Sequence, residues 1–298
     1  MKQLFGFSEI EQDRCFEKEL PGGVLRFTRL SRPAAIEPFL NLLNEIWGFA
    51  ENERIPLHEA VVVAMTGGLF LGIEFNGSPA GLVYIMPAFV REWGYHHHSN
   101  FLGFKPEYRS LGLGLETKRV HAILAGRDKV KLVTWTFDPL QTANANLNFR
   151  KLGCICRTYL PDHYGGMGGT FDPGLPTDRF LVEWRLDTVR VRARLQGKIP
   201  GVADLAQRFS ATPVLTIEKG PEMAAELFAP EAPRAVRLVI PLGVHEQAAR
   251  ELKPAGETLL KFRHLVRGLF DAGYAVTEMI PAGGGARHHY YVLEKGVE

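Results

Sequence analysis

Two stretches of the 298-residue chain bring reactive residue types together at short spacing. The first is residues 109–114, R-S-L-G-L-G. Glycines at 112 and 114 let the backbone approach a ligand closely. The unpaired N–H groups and the positive dipole end of a following helix would then face an anion such as a pyrophosphate. A bare G-x-G is common, so the flanking residues matter. Phe101, Leu102 and Phe104 read as a strand, Pro106 ends it for want of an N–H, and Leu113, Thr117, Val120 and Leu124 keep helical spacing beyond it. The second stretch is residues 95–98, Y-H-H-H. Alternation along a strand puts His96 and His98 on one face, and an imidazole titrates near neutrality, which suits accepting a proton from an ammonium group. A metal pair is a rival reading, with no third ligand close in sequence, and a structural histidine cluster is another.

The surrounding chain supplies elements to hold these stretches. Residues 24–30 alternate as a strand. A helix opens near Pro33 with Ile36, Phe39, Leu40, Leu43 and Ile46 as its buried stripe, and a second covers 57–65, stopped by Gly67-Gly68. Strands at 69–75 and 80–86 flank the turn N-G-S-P as a hairpin. Residues 130–137 are a nearly continuous apolar run of the buried-strand kind, 140–152 read as a helix ended by Gly153, and 154–159 and 180–186 read as strands. The glycine-rich run 163–174 between them is either a closure over substrate or a surface connection. Residues 187–201, rich in arginine, read as a linker or an edge strand with Val189 and Val191 turned inward. Beyond it come strands at 213–217, 234–240, 274–280 and 289–293, and a helix striped by Leu259, Phe262, Val266, Leu269 and Phe270.

R-x-x-G-x-G after a strand resembles the signature of the GNAT acyl-CoA N-acyltransferases. Further runs resemble one branch of that superfamily, mostly predicted acetyltransferases associated with N-acylamino-acid racemase pathways. These are Trp47, Pro56, His58 and Gly67-Gly68; W-T-F-D-P-L at 135–140; Asn144 and Asn148; K-L-G at 151–153; R-T-Y at 157–159; Tyr164-Gly165; and G-L-P-T-D-R-F-L-V-E-W at 174–184. The resemblance implies a mixed, largely antiparallel sheet flanked by helices over residues 1–187. A smaller α+β domain over 188–298 follows, structural or dimer-forming, and open to being a degenerate half of the same fold.

Acetyl-CoA or succinyl-CoA is the implied acyl donor, and a small amine, an amino acid by the branch resemblance, the acceptor. Leu102, Gly103 and Phe104 would pair with the pantetheine amides, residues Arg109, Ser110, Leu111, Gly112, Leu113 and Gly114 would hold the pyrophosphate, and Asn144 would position the cofactor. Arg157 has the fork geometry to grip an acceptor carboxylate, Trp135 would wall the pocket and Asn148 would position the acceptor. Two departures from the pattern bear on catalysis. The branch carries His-Ser-His where this chain has His98-Ser99-Asn100, which leaves His98 as the base. Many relatives carry tyrosine in Y-x-K-x-G where this chain has Phe149, so the proton for the leaving thiolate falls to Tyr164 or Tyr159.

Composition narrows the rest. A net charge of +2, from 35 basic and 33 acidic residues, gives no broad nucleic-acid footprint. The N-terminal residues lack a signal-peptide core and no apolar run approaches the ~20 residues that span a bilayer, so a cytoplasmic protein without a membrane partner is expected. Three cysteines cannot close a disulfide framework, and none has zinc spacing, so no metal is expected. A non-catalytic acyl-CoA sensor and an unrelated nucleotide-binding module stand as the other readings.

Overall fold

The computed structural model describes residues 5–49, 51–165, 174–218, 227, 229 and 231–297. The architecture is mixed α/β, with the largely antiparallel sheet flanked by helices that the resemblance implies. Contacts divide it into two compact units. The first holds the described residues up to Trp135 together with Arg185–Thr188, and the second holds the rest. The division falls inside a strand at Trp135/Thr136, not near 187 as expected from the sequence.

In the first unit, β1 (Ser8–Glu11), β2 (Cys15–Leu20), β3 (Gly23–Leu30), β4 (Leu69–Phe75), β5 (Ser78–Val90) and β6 (Gly94–Phe104) pair in that order, all antiparallel. β7 (Leu132–Phe137) adds to β6 in parallel. The β4–β5 hairpin turns on Asn76 and Gly77, at φ +52° and +75°, the pair of positive angles that a two-residue turn between twisted strands requires.

One face of this sheet packs α1 (Pro33–Trp47) and α2 (Leu57–Met65) through Ile36, Leu43, Phe70, Leu82 and Tyr84. The other packs α3 (Leu113–Arg127) through Leu71, Ile73, Val83, Leu113, Val120 and Leu124. Pro33 sits in the first turn of α1, where its missing N–H costs nothing, and Gly48 closes the helix in the left-handed conformation.

Within the second unit the strands follow the order β9 (Arg179–Arg185), β8 (Ile155–Leu160), β12 (Tyr274–Ile280), β13 (Tyr290–Lys295), β11 (Ala235–Val239) and β10 (Val214–Leu215). The strands expected in residues 154–186 therefore share a sheet with the C-terminal ones. The joint is antiparallel, with Val276 opposite Cys156. The expected helix over 140–152 is a short α4 (Thr142–Ala145) running into a π-helical turn, Asn146–Lys151.

The stretch read as a linker contains a helix, α5 (Val189–Leu195), followed by α6 (Val202–Arg208). Val191 and Leu195, one helical turn apart, are buried, while Val189 is 85% exposed, which removes the edge-strand reading. Arg190 and Arg194 from the same turn converge on the buried Glu278. A five-residue α7 (Val244–Ala248) precedes the long α8 (Leu252–Asp271), whose expected stripe is buried at Leu259, Phe262, Val266 and Leu269. Among the described residues no helix is long and apolar enough to cross a membrane.

Candidate functional site

In the first unit the site is built from one strand edge and one helix end. β6 pairs with β7 only at His97 opposite Val133 and His98 opposite Thr134. Among the described residues, 99–104 have no strand on that side. Direction along β6 follows from its other edge: the Lys105 N–H donates to the Ala80 carbonyl of β5 at 2.9 Å. Alternation then turns the backbone groups of Leu102 and Phe104 away from β5, toward the unpaired side. The Arg109 Nε–H donates to the Phe104 carbonyl there at 3.2 Å, tying the loop to the strand edge.

Upstream, Tyr84 pairs with Phe101 and Ile85 with Ser99, so Asn100 is the extra residue of a bulge. Such a bulge re-aims the residues beside it. Gly103 has another reason than ligand approach. A side chain at that position would run into the Trp47 ring, 2.1 Å from an added Cβ.

The loop reaches α3 through two left-handed residues, Ser110 at φ +68° and Gly112 at φ +77°. Gly112 caps the helix without a side-chain hydrogen bond, and an added Cβ would meet nothing within 4 Å, so the space in front of the helix end is open. Leu113, 2% exposed, anchors the turn in the core while Leu111 projects outward. Glu116, the acid of the first turn, is drawn into ion pairs with Lys18 at 2.8 Å and Arg119 at 2.6 Å. The end of α3 therefore keeps its positive character toward solvent.

The three histidines divide between the two faces, as alternation requires. His97 turns toward α3 and stacks on His121, with Nδ1 3.2 Å from His121 Nε2. Burial holds His97 down to about 4, assisted by His96 and Arg29, and holds His121 well below the ordinary histidine range. On the same side Lys118, 2% exposed, donates to Ser99 Oγ at 3.0 Å and lies 3.7 Å over the Trp135 ring. Trp135, expected to wall a pocket, is thus packed against a buried ammonium. His96 and His98 share the opposite face. His96 contacts the Gly94 carbonyl and the Trp93 ring, and His98 Nδ1 lies 3.0 Å from Thr134 Oγ1.

The remaining expected residues lie in the second unit, and most have structural partners there. Arg157 is not poised for an acceptor carboxylate. Its Nη1 donates to both oxygens of Glu183, at 3.1 and 3.2 Å, and its Nη2 donates to the Val297 carbonyl.

Tyr159 is 7% exposed, and its hydroxyl donates to Asp178 Oδ2 at 2.6 Å. Burial first, then the Asp178 carboxylate, push that hydroxyl far above the ordinary tyrosine range. Asp178 also takes two bonds from Arg263 of α8, at 2.8 and 2.6 Å, and one from the Asp162 N–H at 3.0 Å. Tyr159 is therefore part of a buried clamp and not a proton donor to a substrate.

Tyr164 is 44% exposed, with its hydroxyl 2.6 Å from Thr136 Oγ1 and its ring under the Arg179 guanidinium. Asn144 is exposed on α4. Asn148 is buried on the π-helical turn, and its Nδ2 lacks a partner among the described residues; such a donor calls for a ligand or a water. Phe149 is fully buried, edge-on to Phe137 and Tyr291. The expected glycine-rich closure lies mostly outside the described residues.

Sequence reasoning missed Thr134, Arg263 and a His245–Asp138 pair. His245 Nε2 is 2.6 Å from Asp138 Oδ2, and the carboxylate raises the imidazole's pKa although the N–H is not aimed squarely at the oxygen. These partners lie 107 residues apart in sequence, 138 to 245, so no local spacing links them. Among the described residues no group of three or more His, Cys, Asp or Glu side chains could hold a metal ion.

No protein-family model and no curated protein matches the chain. Solved structures do resemble it. One is an acetyltransferase of the GNAT family from Streptococcus pneumoniae, at 17% identity over 53% of this chain and 97% of that one, with a TM-score of 0.41. Another is an IAA acetyltransferase from Bacillus cereus, at 13% identity over 54% and 99%, TM-score 0.41. A third is Arabidopsis thaliana Naa50 in complex with a bisubstrate analogue, at 12% identity over 53% and 97%, TM-score 0.39. At such identities the chemistry rests on the geometry of the site itself.

Proposed function

We propose that the chain is an acyl-CoA-dependent N-acyltransferase that passes an acetyl or succinyl group directly to a small amine in a ternary complex. The observation that carries this reading is the continuity of β6 with α3. The outward backbone groups of Leu102 and Phe104 run straight into the uncapped helix end at Gly112. A ligand with amides along a thin arm and a pyrophosphate at its end matches that sequence of donors and acceptors. Coenzyme A has this build, and its thioester supplies the acyl group. Residues 109–114 would take the phosphates, and a backbone N–H at the bulged end of β6 would polarise the carbonyl.

In the transfer, the amine nitrogen bonds to the acyl carbon as the carbon–sulfur bond breaks, the amine gives up one proton and the thiolate gains one. His98 is the proposed side chain at the reacting carbonyl, and Tyr164 the proposed donor to sulfur on the resemblance alone. Because Arg157 is committed to Glu183, an amino acid as acceptor also rests on the resemblance.

Calorimetry with CoA tests the site. Gly112→Val puts a β-branched side chain at a left-handed position, at ~1–2 kcal/mol of fold stability, and crowds the helix end. Losing the charge-assisted bonds there, ~1.5–3 kcal/mol, should weaken CoA roughly tenfold to a hundredfold. An unchanged dissociation constant would remove the loop from the site. His98→Ala should lower kcat by ~10² or more with CoA affinity retained; an undiminished kcat would exclude His98 from the chemistry.

Phe149 favours a second reading, binding without transfer, since it stands where many relatives carry a proton-donating tyrosine and is sealed in the core. Tight CoA binding with no thiol release, for acetyl- or succinyl-CoA crossed with amino acids of both configurations, would select that reading. Displacement of CoA by ATP or NAD would select a nucleotide-binding module.

A further inference from the structure

The geometry points to Thr134 as the positioning residue that fixes His98 in the tautomer with its proton on Nε2, so that His98 serves as a hydrogen-bond donor to the acyl oxygen and not as the base. The reading rests on the proposed acyl transfer, and it starts from the partners around one hydroxyl. Thr134 sits opposite His98 in the parallel β6–β7 pairing, so both side chains leave the sheet on the same face. It is 1% exposed. Among the described residues the one hydrogen-bond partner of Thr134 Oγ1 is His98 Nδ1, at 3.0 Å.

A threonine hydroxyl has one proton to give, and a neutral imidazole has one donor and one acceptor nitrogen. If Nδ1 carried the ring proton and gave it to Oγ1, the buried O–H of Thr134 would have no acceptor, a costly arrangement. If instead the Thr134 O–H donates to Nδ1, the hydroxyl proton and the Nδ1 lone pair satisfy each other. The ring proton then lies on Nε2. The hydrogen-bond network dictates the tautomer here as it does for any imidazole whose protons are inferred from partners.

The consequence reverses the role expected from the sequence. An imidazole with its proton on Nε2 offers no lone pair there and cannot take a proton from the ammonium through that nitrogen; Nδ1 is occupied by Thr134. It can donate to an oxygen on which negative charge develops as the amine attacks. Protonation of the ring does not abolish this, because the imidazolium also carries a proton on Nε2, with Nδ1–H then donating to Oγ1. The amine proton leaves to water, and the acyl oxygen carries the charge that His98 holds until the carbon–sulfur bond breaks.

Nitrogen-15 NMR on the 298-residue chain, labelled at histidine and without ligand, reads the tautomer directly. The expected result is a protonated Nε2 and a hydrogen-bonded, unprotonated Nδ1 for His98. Thr134→Val keeps the shape and removes the hydroxyl, and should move the Nδ1 resonance to that of an unbonded ring nitrogen. In assays with acetyl-CoA and an amine that the parent acylates, Thr134→Val should lower kcat about tenfold with KM for acetyl-CoA unchanged, and Thr134→Ser should restore it. A proton on Nδ1 in the parent, or a resonance indifferent to Thr134→Val, overturns the proposal. Full activity in Thr134→Val also overturns it. If no acyl-CoA is turned over by the parent, the transferase reading fails and the donor role with it, while the tautomer remains measurable. If turnover is found with Nδ1 protonated, this proposal alone fails.

Discussion

A chain ended at Arg190 is expected to be recovered as aggregate, although the sequence reads as a complete catalytic domain by residue 187. The reason lies in the second unit, where residues on both sides of that point share one core. Phe180 is fully buried and its ring meets Phe270 and Tyr291; Phe149 is fully buried and meets Tyr291. The Tyr291 hydroxyl donates to the Pro139 carbonyl at 2.6 Å, and β12 pairs with β8.

Ending the chain at 190 removes Phe270, β12, Tyr291 and Arg263 together. Stripping the packing from one large aromatic costs on the order of 3–5 kcal/mol, and leaving the buried Asp178 carboxylate without Arg263 costs about as much again. The sum approaches or exceeds the ~5–15 kcal/mol by which an ordinary domain is stable. Gel filtration and thermal melts of the fragment decide it: a soluble monomer with a cooperative transition would show that residues 1–190 fold alone.

How much the sequence could reveal depends on how local each signal is. The loop at 109–114, the α2 and β4 boundaries around Gly67-Gly68, and the stripe of α8 depend on residues within a few positions of one another, and the structure has them as read. β1 and β2 were not legible because only Phe16 of the run Cys15–Leu20 is fully buried, and the charges around it hide the strand period. Arg157 and Tyr159 look like site residues in isolation. Their partners Glu183 and Asp178 lie on or beside another strand, and the Arg263 that completes the clamp is 85 residues from Asp178. Residues 187–201 looked like a solvated linker for the same reason, since the carboxylate that Arg190 and Arg194 share, Glu278, is 84 residues beyond Arg194. Register hid Thr134, because nothing in L-V-T-W-T-F says which threonine will stand opposite a histidine.

Acidification should destabilise the first unit well before its carboxylates are all neutral, because of His97. The ring is fully buried and stacked on His121, and its pKa is held at about 4, against 6.5 for an exposed imidazole, chiefly by burial. The folded protein therefore binds fewer protons than the unfolded chain between these values. The associated stability is fully present above pH 6.5 and is lost as the pH falls toward 4. At about 1.4 kcal/mol per pH unit, the gap amounts to about 3 kcal/mol, and His121, displaced in the same direction, adds to it.

Urea unfolding at about pH 7 and about pH 4.5 should show a marked fall in midpoint for the parent. The double variant His97→Leu, His121→Leu replaces the pair with apolar groups that do not titrate, and its midpoint should fall much less over the same interval. Carboxylates that lose ion pairs on acidification affect both proteins alike, so the difference between the two slopes isolates the histidines. Equal slopes would mean that the buried imidazoles exchange protons without cost, and the acid sensitivity would then belong to ion pairs such as those at Glu9 and Glu116.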